Sequence, residues 1–407
     1  MDKFIIFCLI TFFPILSFTQ DNIICNKVYK EDIKSVQMFS GDNQLSYPIL
    51  ELNGQTPLVL EFDDLNQKRK VYDFQYKIVQ CNPDWTESSL SYFDYLDGFE
   101  ENNITEYSSS FNTITDYEHY KIILPNENVK FKLSGNYAII VYQNFDLYDT
   151  VLTMRFYVSE EKASVSGIVK RPDLAQYSLT HQQVNFDVSS SLFSPSNYQY
   201  VSVWVKQNGL EQNLKKYTPS SINGTTLIFN NTFENVLKAG NEYHYFDIQD
   251  LRRNTEKVAK IEMEDLYNVY LVPEVLYKNY FYYKDINGKY LINNYQGTEP
   301  ESDADYVNVH FYLSAENPFP EDVYLIGDFN FQTPSEQYKM TYNKEHKVYM
   351  ATLLLKQGYY NYRYFVKNID DLDGNFFETK NDYLVLVYLY DVSMNYYRLI
   401  SAKIITN

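Results

Sequence analysis

Short runs in which apolar and polar residues alternate at every second position constrain this chain more than any other feature. Val201, Val203 and Val205 interleave with Ser202, Trp204 and Lys206, and Tyr360, Tyr362 and Tyr364 interleave with Asn361 and Arg363. A period of two places one set of side chains on each face of a pleated strand, whereas a helix needs recurrence at three and four. No sustained 3.6 period is present. Forty-two Tyr and 27 Phe point the same way, because aromatic side chains suit a half-buried pleated surface. Turn dipeptides separate the runs: Asn53-Gly54, Asp97-Gly98, Asn208-Gly209, Asn223-Gly224, Asn287-Gly288 and Asp373-Gly374. Such pairs tolerate the positive φ of tight hairpins. The expected fold is all-β, with tandem immunoglobulin-like or early-set β-sandwich domains.

The 407 residues exceed one ordinary core, so more than one domain is expected. The first residues, MDKFIIFCLITFFPILSFTQ, hold one Lys, an apolar stretch from Phe4 to Leu16 and small residues before Gln20. That pattern reads as a secretory signal peptide over residues 1–19. Cys8 lies inside the apolar stretch without the small residues of a lipobox, so no lipid anchor is expected. No later run reaches the ~18 apolar residues of a membrane span. The reading is an exported chain with no direct membrane insertion.

Three units follow: an N-terminal sandwich over 20–160, a middle one over 161–297, and a C-terminal one over 298–407. The last boundary rests on QGTEPESDAD (Gln296 to Asp305), a polar, acidic stretch with Pro.

The formal charge is -18, and removing residues 1–19 takes one Asp and one Lys and leaves it unchanged. So acidic a chain argues against nucleic acid and anionic membrane surfaces as partners. Cys25 and Cys81 remain after the signal peptide, and export permits a disulfide between them.

Catalytic templates are missing: no G-x-S-x-G, H-E-x-x-H, Walker loop or dinucleotide glycine pattern occurs. The five His residues, at 119, 181, 244, 310 and 346, lack metal-ligand spacing and read as strand or surface residues. The acidic pairs Asp63-Asp64 and Glu100-Glu101 read as solvated loop charge. A calcium loop over DDLDGNFFE (Asp370 to Glu378) fails because Ile369 stands at its first ligand position. The chain is expected to be no enzyme, with no catalytic residue, cofactor or metal.

Several long blocks stand in a characteristic order. They include QLSYPILELNG (Gln44 to Gly54), EFDDL (Glu61 to Leu65), QCNPDWTESSLSYFDYLDGFEENNITEYSSSFNT (Gln80 to Thr113) and YKIILPNENVKFKLSGNYAIIVY (Tyr120 to Tyr142). AGNEYHYFDIQDLR (Ala239 to Arg252), FFETKNDYLVLVYLYD (Phe376 to Asp391) and YYRLI (Tyr396 to Ile400) follow. Together they resemble the plug protein family of the type IX secretion system over nearly the whole exported chain. One departure is Tyr243-His244, where the family pattern leads one to expect Phe-Arg.

The resemblance implies a periplasmic, non-enzymatic subunit. It would seal the periplasmic mouth of a large outer-membrane β-barrel translocon through protein–protein contact. The Asn82 to Phe99 loop and the overlapping Asp94 to Asn103 loop are then the candidate docking surface, with Trp85, Phe93, Tyr95 and Phe99 as anchors. Asp94, Asp97, Glu100 and Glu101 would meet a basic rim.

A rival reading comes from GDFNFQ (Gly327 to Gln332), which follows the apolar run VYLI. The C-terminal unit resembles glycogen-binding β-sandwiches, whose Trp at this turn stacks on sugar. Here Phe331 stands in that position and the unit holds no Trp, so a glycan partner is not expected.

Overall fold

A computed structural model describes residues 23–66, 73–369 and 372–407. The signal peptide reading and Cys8 lie outside these residues, as do Asp370 and Asp371 of the excluded calcium loop. Strand dominates the regular structure, arranged as three sandwiches, as its alternation requires.

The first unit packs two sheets face to face. One carries Lys27–Val28, Asp146–Ser159, Gly135–Gln143, Phe74–Cys81 and Glu101–Asn103 in that order, with Ile49–Glu51 added parallel to Asp146–Ser159. The other carries Ile33–Ser40, Leu58–Asp64, Glu118–Leu124 and Glu106–Ser109. Leu58, Leu60, Phe62, Ile78, Tyr120, Tyr137 and Phe156 fill the space between them and are fully buried. Phe62 stacks on Tyr120 at 5.2 Å, and Tyr137 on Phe156 at 5.6 Å. Burying side chains of this size contributes roughly 1.5–3 kcal/mol each.

The second unit departs from the expected boundaries. One of its sheets holds Ser164–Lys170, His181–Ser189, Thr226–Phe229 and Ser221–Asn223. The opposing sheet runs Lys215–Tyr217, Val201–Gln207, Asp382–Asp391 and Tyr396–Thr406, so the chain's last two strands complete it. Residues 244–366 form the third unit instead, inserted between the two parts of the second. The reason lies in YLVLVYL. Tyr383, Val385, Val387 and Leu389 enter the second unit's core, while Leu384, Leu386 and Tyr388 face the first unit. A strand covered on both faces has no polar face to show, hence its unbroken apolar run.

The third unit is a continuous nine-stranded sheet folded over one core. Its order runs from His244–Asp247 through Gly358–Val366, Val323–Ile326, Lys339–Asn343, Val348–Lys356, Tyr306–Ser314 and Tyr267–Leu271 to Val258–Met263. Tyr290–Ile292 pairs with Gly358–Val366. Phe246, Phe311, Tyr360 and Tyr362 meet at its centre. The acidic stretch at 296–305 is therefore no linker. It lies inside this unit and docks on the first: Phe111 N donates to Ser302 O at 2.9 Å and Tyr117 Oη to Ala304 O at 2.9 Å.

The departure at Tyr243-His244 acquires a physical meaning here. His244 is fully buried, with Nε2 3.2 Å from Asp373 and Nδ1 3.6 Å from Glu274, and it stacks on Tyr277 at 4.2 Å. Burial pushes its pKa down, but the two carboxylates outweigh this and raise it to about 9. His244 is thus a buried cation, as an Arg would be. A His whose folded pKa lies above its usual ~6.5 stabilises fully below that value, and the contribution fades as pH rises through about 9. Wild-type stability is expected to drop by up to about 3 kcal/mol between pH 6 and pH 10 from this group. Denaturant melts of the wild type and His244→Arg across that range check it: the Arg variant should lose less.

Candidate partner-binding site

The 82–103 segment is ordered by its own short-range chemistry. Trp85 adopts φ 68°, which turns the chain after Pro83 so that Trp85 O accepts from Ile24 N at 3.0 Å. Ser91 N donates to Asp94 Oδ2 at 2.9 Å and opens a single helical turn, Tyr92–Tyr95. Leu96–Gly98 then pairs antiparallel with Val129–Phe131. The Asp97-Gly98 pair is consequently not a hairpin turn. Gly98 sits in a strand at φ 130°, where a Cβ would lie 1.9 Å from Asn128 O, so only glycine fits.

This geometry divides the expected anchors. Trp85 is 3% exposed and Tyr95 4% exposed, so neither can be a docking aromatic. Tyr95 belongs to the first unit's core and donates from Oη to Ile78 O at 3.2 Å. Trp85 lies at the junction with the second unit, 5.3 Å from the Tyr157 ring and under the Arg155 guanidinium at 4.5 Å. Phe93 and Phe99 are 64% and 66% exposed and stand on the same loop.

Asp94, Asp97 and Glu101 are exposed and Glu100 half-buried. Three of these acids also hold the loop together: Asp94 through Ser91, Glu100 through Lys77 at 2.6 Å, and Glu101 through Tyr142 Oη at 2.9 Å. What remains for a partner is two phenyl rings set in an acidic frame.

Cys25 is exposed and Cys81 buried, and both thiols are free, so the bridge that export would permit is not formed. Burial pushes the Cys81 thiol up to about 12, which makes it a poor nucleophile for exchange.

Phe331 also finds a structural role. It adopts φ 55° at the end of the 3₁₀ turn Asp328–Asn330 and packs, half-buried, against the core of the first unit. The GDFNFQ turn is a contact between units, not a ring offered to solvent for sugar.

Sequence reading missed the residues that lock the units together. Asp63, read as loop charge, is fully buried at the end of Leu58–Asp64. Its carboxylate accepts from Lys356 Nζ at 2.6 Å, from Tyr306 Oη at 2.6 Å, and meets His119 Nδ1 at 2.7 Å. Lys356 and Tyr306 belong to the third unit. Lys356 also donates to Glu301 O at 2.7 Å and lies 4.1 Å over the Tyr117 ring.

Glu160, between the first and second units, takes both prongs of Arg398 at 2.9 and 2.7 Å and the Ser134 hydroxyl at 2.8 Å. Burial pushes its carboxyl up, but these donors win and hold it at about 2. An acid and a Lys or Arg 238 or 293 residues away carry no local signal of pairing.

Residues 33–160, the first sandwich, match the family described as type 9 secretion system plug protein 1st domain. Among solved structures 19 chains match. One of them is the crystal structure of a hypothetical protein from Parabacteroides merdae ATCC 43184. It is 31% identical with a TM-score of 0.88, and the alignment covers 94% of this chain and 99% of that one. No curated protein matches. The chain therefore belongs to one family with the Parabacteroides merdae protein, and its own residues 33–160 carry the type 9 secretion system plug first domain.

Proposed function

We propose that this chain is the plug subunit of a type IX secretion system, a periplasmic, non-enzymatic protein that closes the periplasmic mouth of the outer-membrane β-barrel translocon. The match of residues 33–160 to the plug first domain carries the reading. The architecture suits it. A stopper for a pore wide enough to pass folded cargo must neither deform nor thread. Here the second and third units are interleaved in sequence, and the first is tied to each by buried ion pairs.

Docking is assigned to the Phe93–Glu101 face. Phe93 and Phe99 would enter apolar depressions on the barrel's rim, and the surrounding acids would meet basic residues and speed association. Deleting the chain should make cells permeable to large antibiotics while cargo export changes little. The double change Phe93→Ala and Phe99→Ala should reproduce the leak with the protein folded and abundant. Truncating one anchor at roughly 2 kcal/mol lowers affinity about thirtyfold, and two additive losses of that size lower it by close to a thousandfold. Normal permeability in the deletion strain removes the sealing role. Undiminished co-purification of the double variant with the barrel removes this docking face while leaving the role standing.

A further inference from the structure

The three units converge on a cavity of about 330 Å³. The first unit supplies Arg155 and Tyr157, the second Lys206 and Glu211, and the third Lys289, Asp328 and Gln332. Three cations thus stand on this lining against two acids.

Arg155 and Lys206 are buried and share a single carboxylate, Glu211, at 3.2 and 2.6 Å. Lys289, half-buried, lies 3.8 Å over the Tyr47 ring and donates to Leu45 O. The remaining acid, Asp328, accepts from Gln332 Nε2 at 3.0 Å. Burial holds its carboxyl up at about 6, with Gln332, Lys289 and Lys206 pulling it back only in part. The balance of the lining is positive.

A further observation points to a ligand. Tyr157 is more than nine-tenths buried, yet its hydroxyl has no hydrogen-bond partner among the described residues. An orphaned donor at such burial is costly, and a bound acceptor satisfies it. The π faces are already covered: Arg155 sits on Trp85, Lys289 on Tyr47, and Lys206 stands 5.5 Å over Tyr157. An incoming molecule therefore meets cations rather than bare rings. Met38, Met154, Leu210 and Leu384 supply an apolar wall, so a bare inorganic anion would leave much of the lining unfilled.

We propose that this junction binds a small carboxylate with an apolar body. The carboxylate pairs with Lys206 and Lys289, the Tyr157 hydroxyl donates to it, and the body lies on the Met and Leu wall. The site does not depend on how the chain docks to a translocon.

Indole-3-acetate and its neutral amide, indole-3-acetamide, serve as matched probes on the full exported chain, read by calorimetry and ligand-observed NMR. The acetate should bind about tenfold or more tightly than the amide, the effect of one charge-assisted hydrogen bond in a buried site. Lys206→Met should abolish that preference. Lys289→Met, on a different unit, should weaken it similarly and guards against a folding defect in the first variant. Equal binding of acid and amide overturns the proposal, as does no binding of either at millimolar concentration. A preference that survives both substitutions overturns it too.

Discussion

Lys356→Ala should destabilise the protein by about 3–5 kcal/mol, because it strands a buried carboxylate between two units. Asp63 has no exposed surface and Lys356 is 1% exposed at the side chain. Burial pushes the Asp63 carboxyl up, but the Lys356 ammonium and His119 outweigh it and hold it below its usual value. A carboxyl so depressed stabilises above its unfolded pKa of about 4, and the contribution is lost as pH falls below that. Without Lys356 the group retains only His119 and the Tyr306 hydroxyl. Equilibrium denaturation should show a lower midpoint and a separate, earlier transition as the first and third units part. The double variant Asp63→Leu and Lys356→Met should recover most of the loss, since an apolar pair of similar volume leaves no charge uncompensated. A midpoint that does not move in Lys356→Ala would mean that water reaches Asp63.

The second large effect separates stability from docking within one loop. Tyr95→Ala empties part of the first core and should cost about 3–5 kcal/mol, as should Trp85→Ala at the junction with the second unit. Phe93→Ala and Phe99→Ala lie on exposed rings and should stay within about 0.5 kcal/mol of the wild type. Thermal melts of the four single variants test this split. A stable Tyr95→Ala would return that ring to the docking surface. A strongly destabilised Phe99→Ala would show that its ring packs on the protein itself. Only variants that melt normally can then be read for loss of the proposed partner.

The position of His244 shows how a substitution can preserve charge logic while changing its pH dependence. Arg stays charged at any pH at which the protein folds, whereas His244 owes its charge to Asp373 and Glu274. The pair of carboxylates, and not the identity of the cation, defines the site.

The amino-acid sequence by itself determined the class of fold. Period two in Val201–Gln207 and Gly358–Val366 leaves strands as the solution, because no helix gathers those apolar residues on one face. Tertiary structure decided everything that depends on pairing across long separations. Asp382–Asp391 completes a sheet begun at Val201, and Asp63 finds Lys356 293 residues later. Which of Trp85, Phe93, Tyr95 and Phe99 would face water was decided there too. Local alternation assigns a residue to one of two faces, but which face is covered depends on a partner sheet that the local sequence does not name. Charge pairing is less local still. Asp63 and an exposed acid are the same residue in sequence, and only burial beside a distant ammonium turns one into a lock.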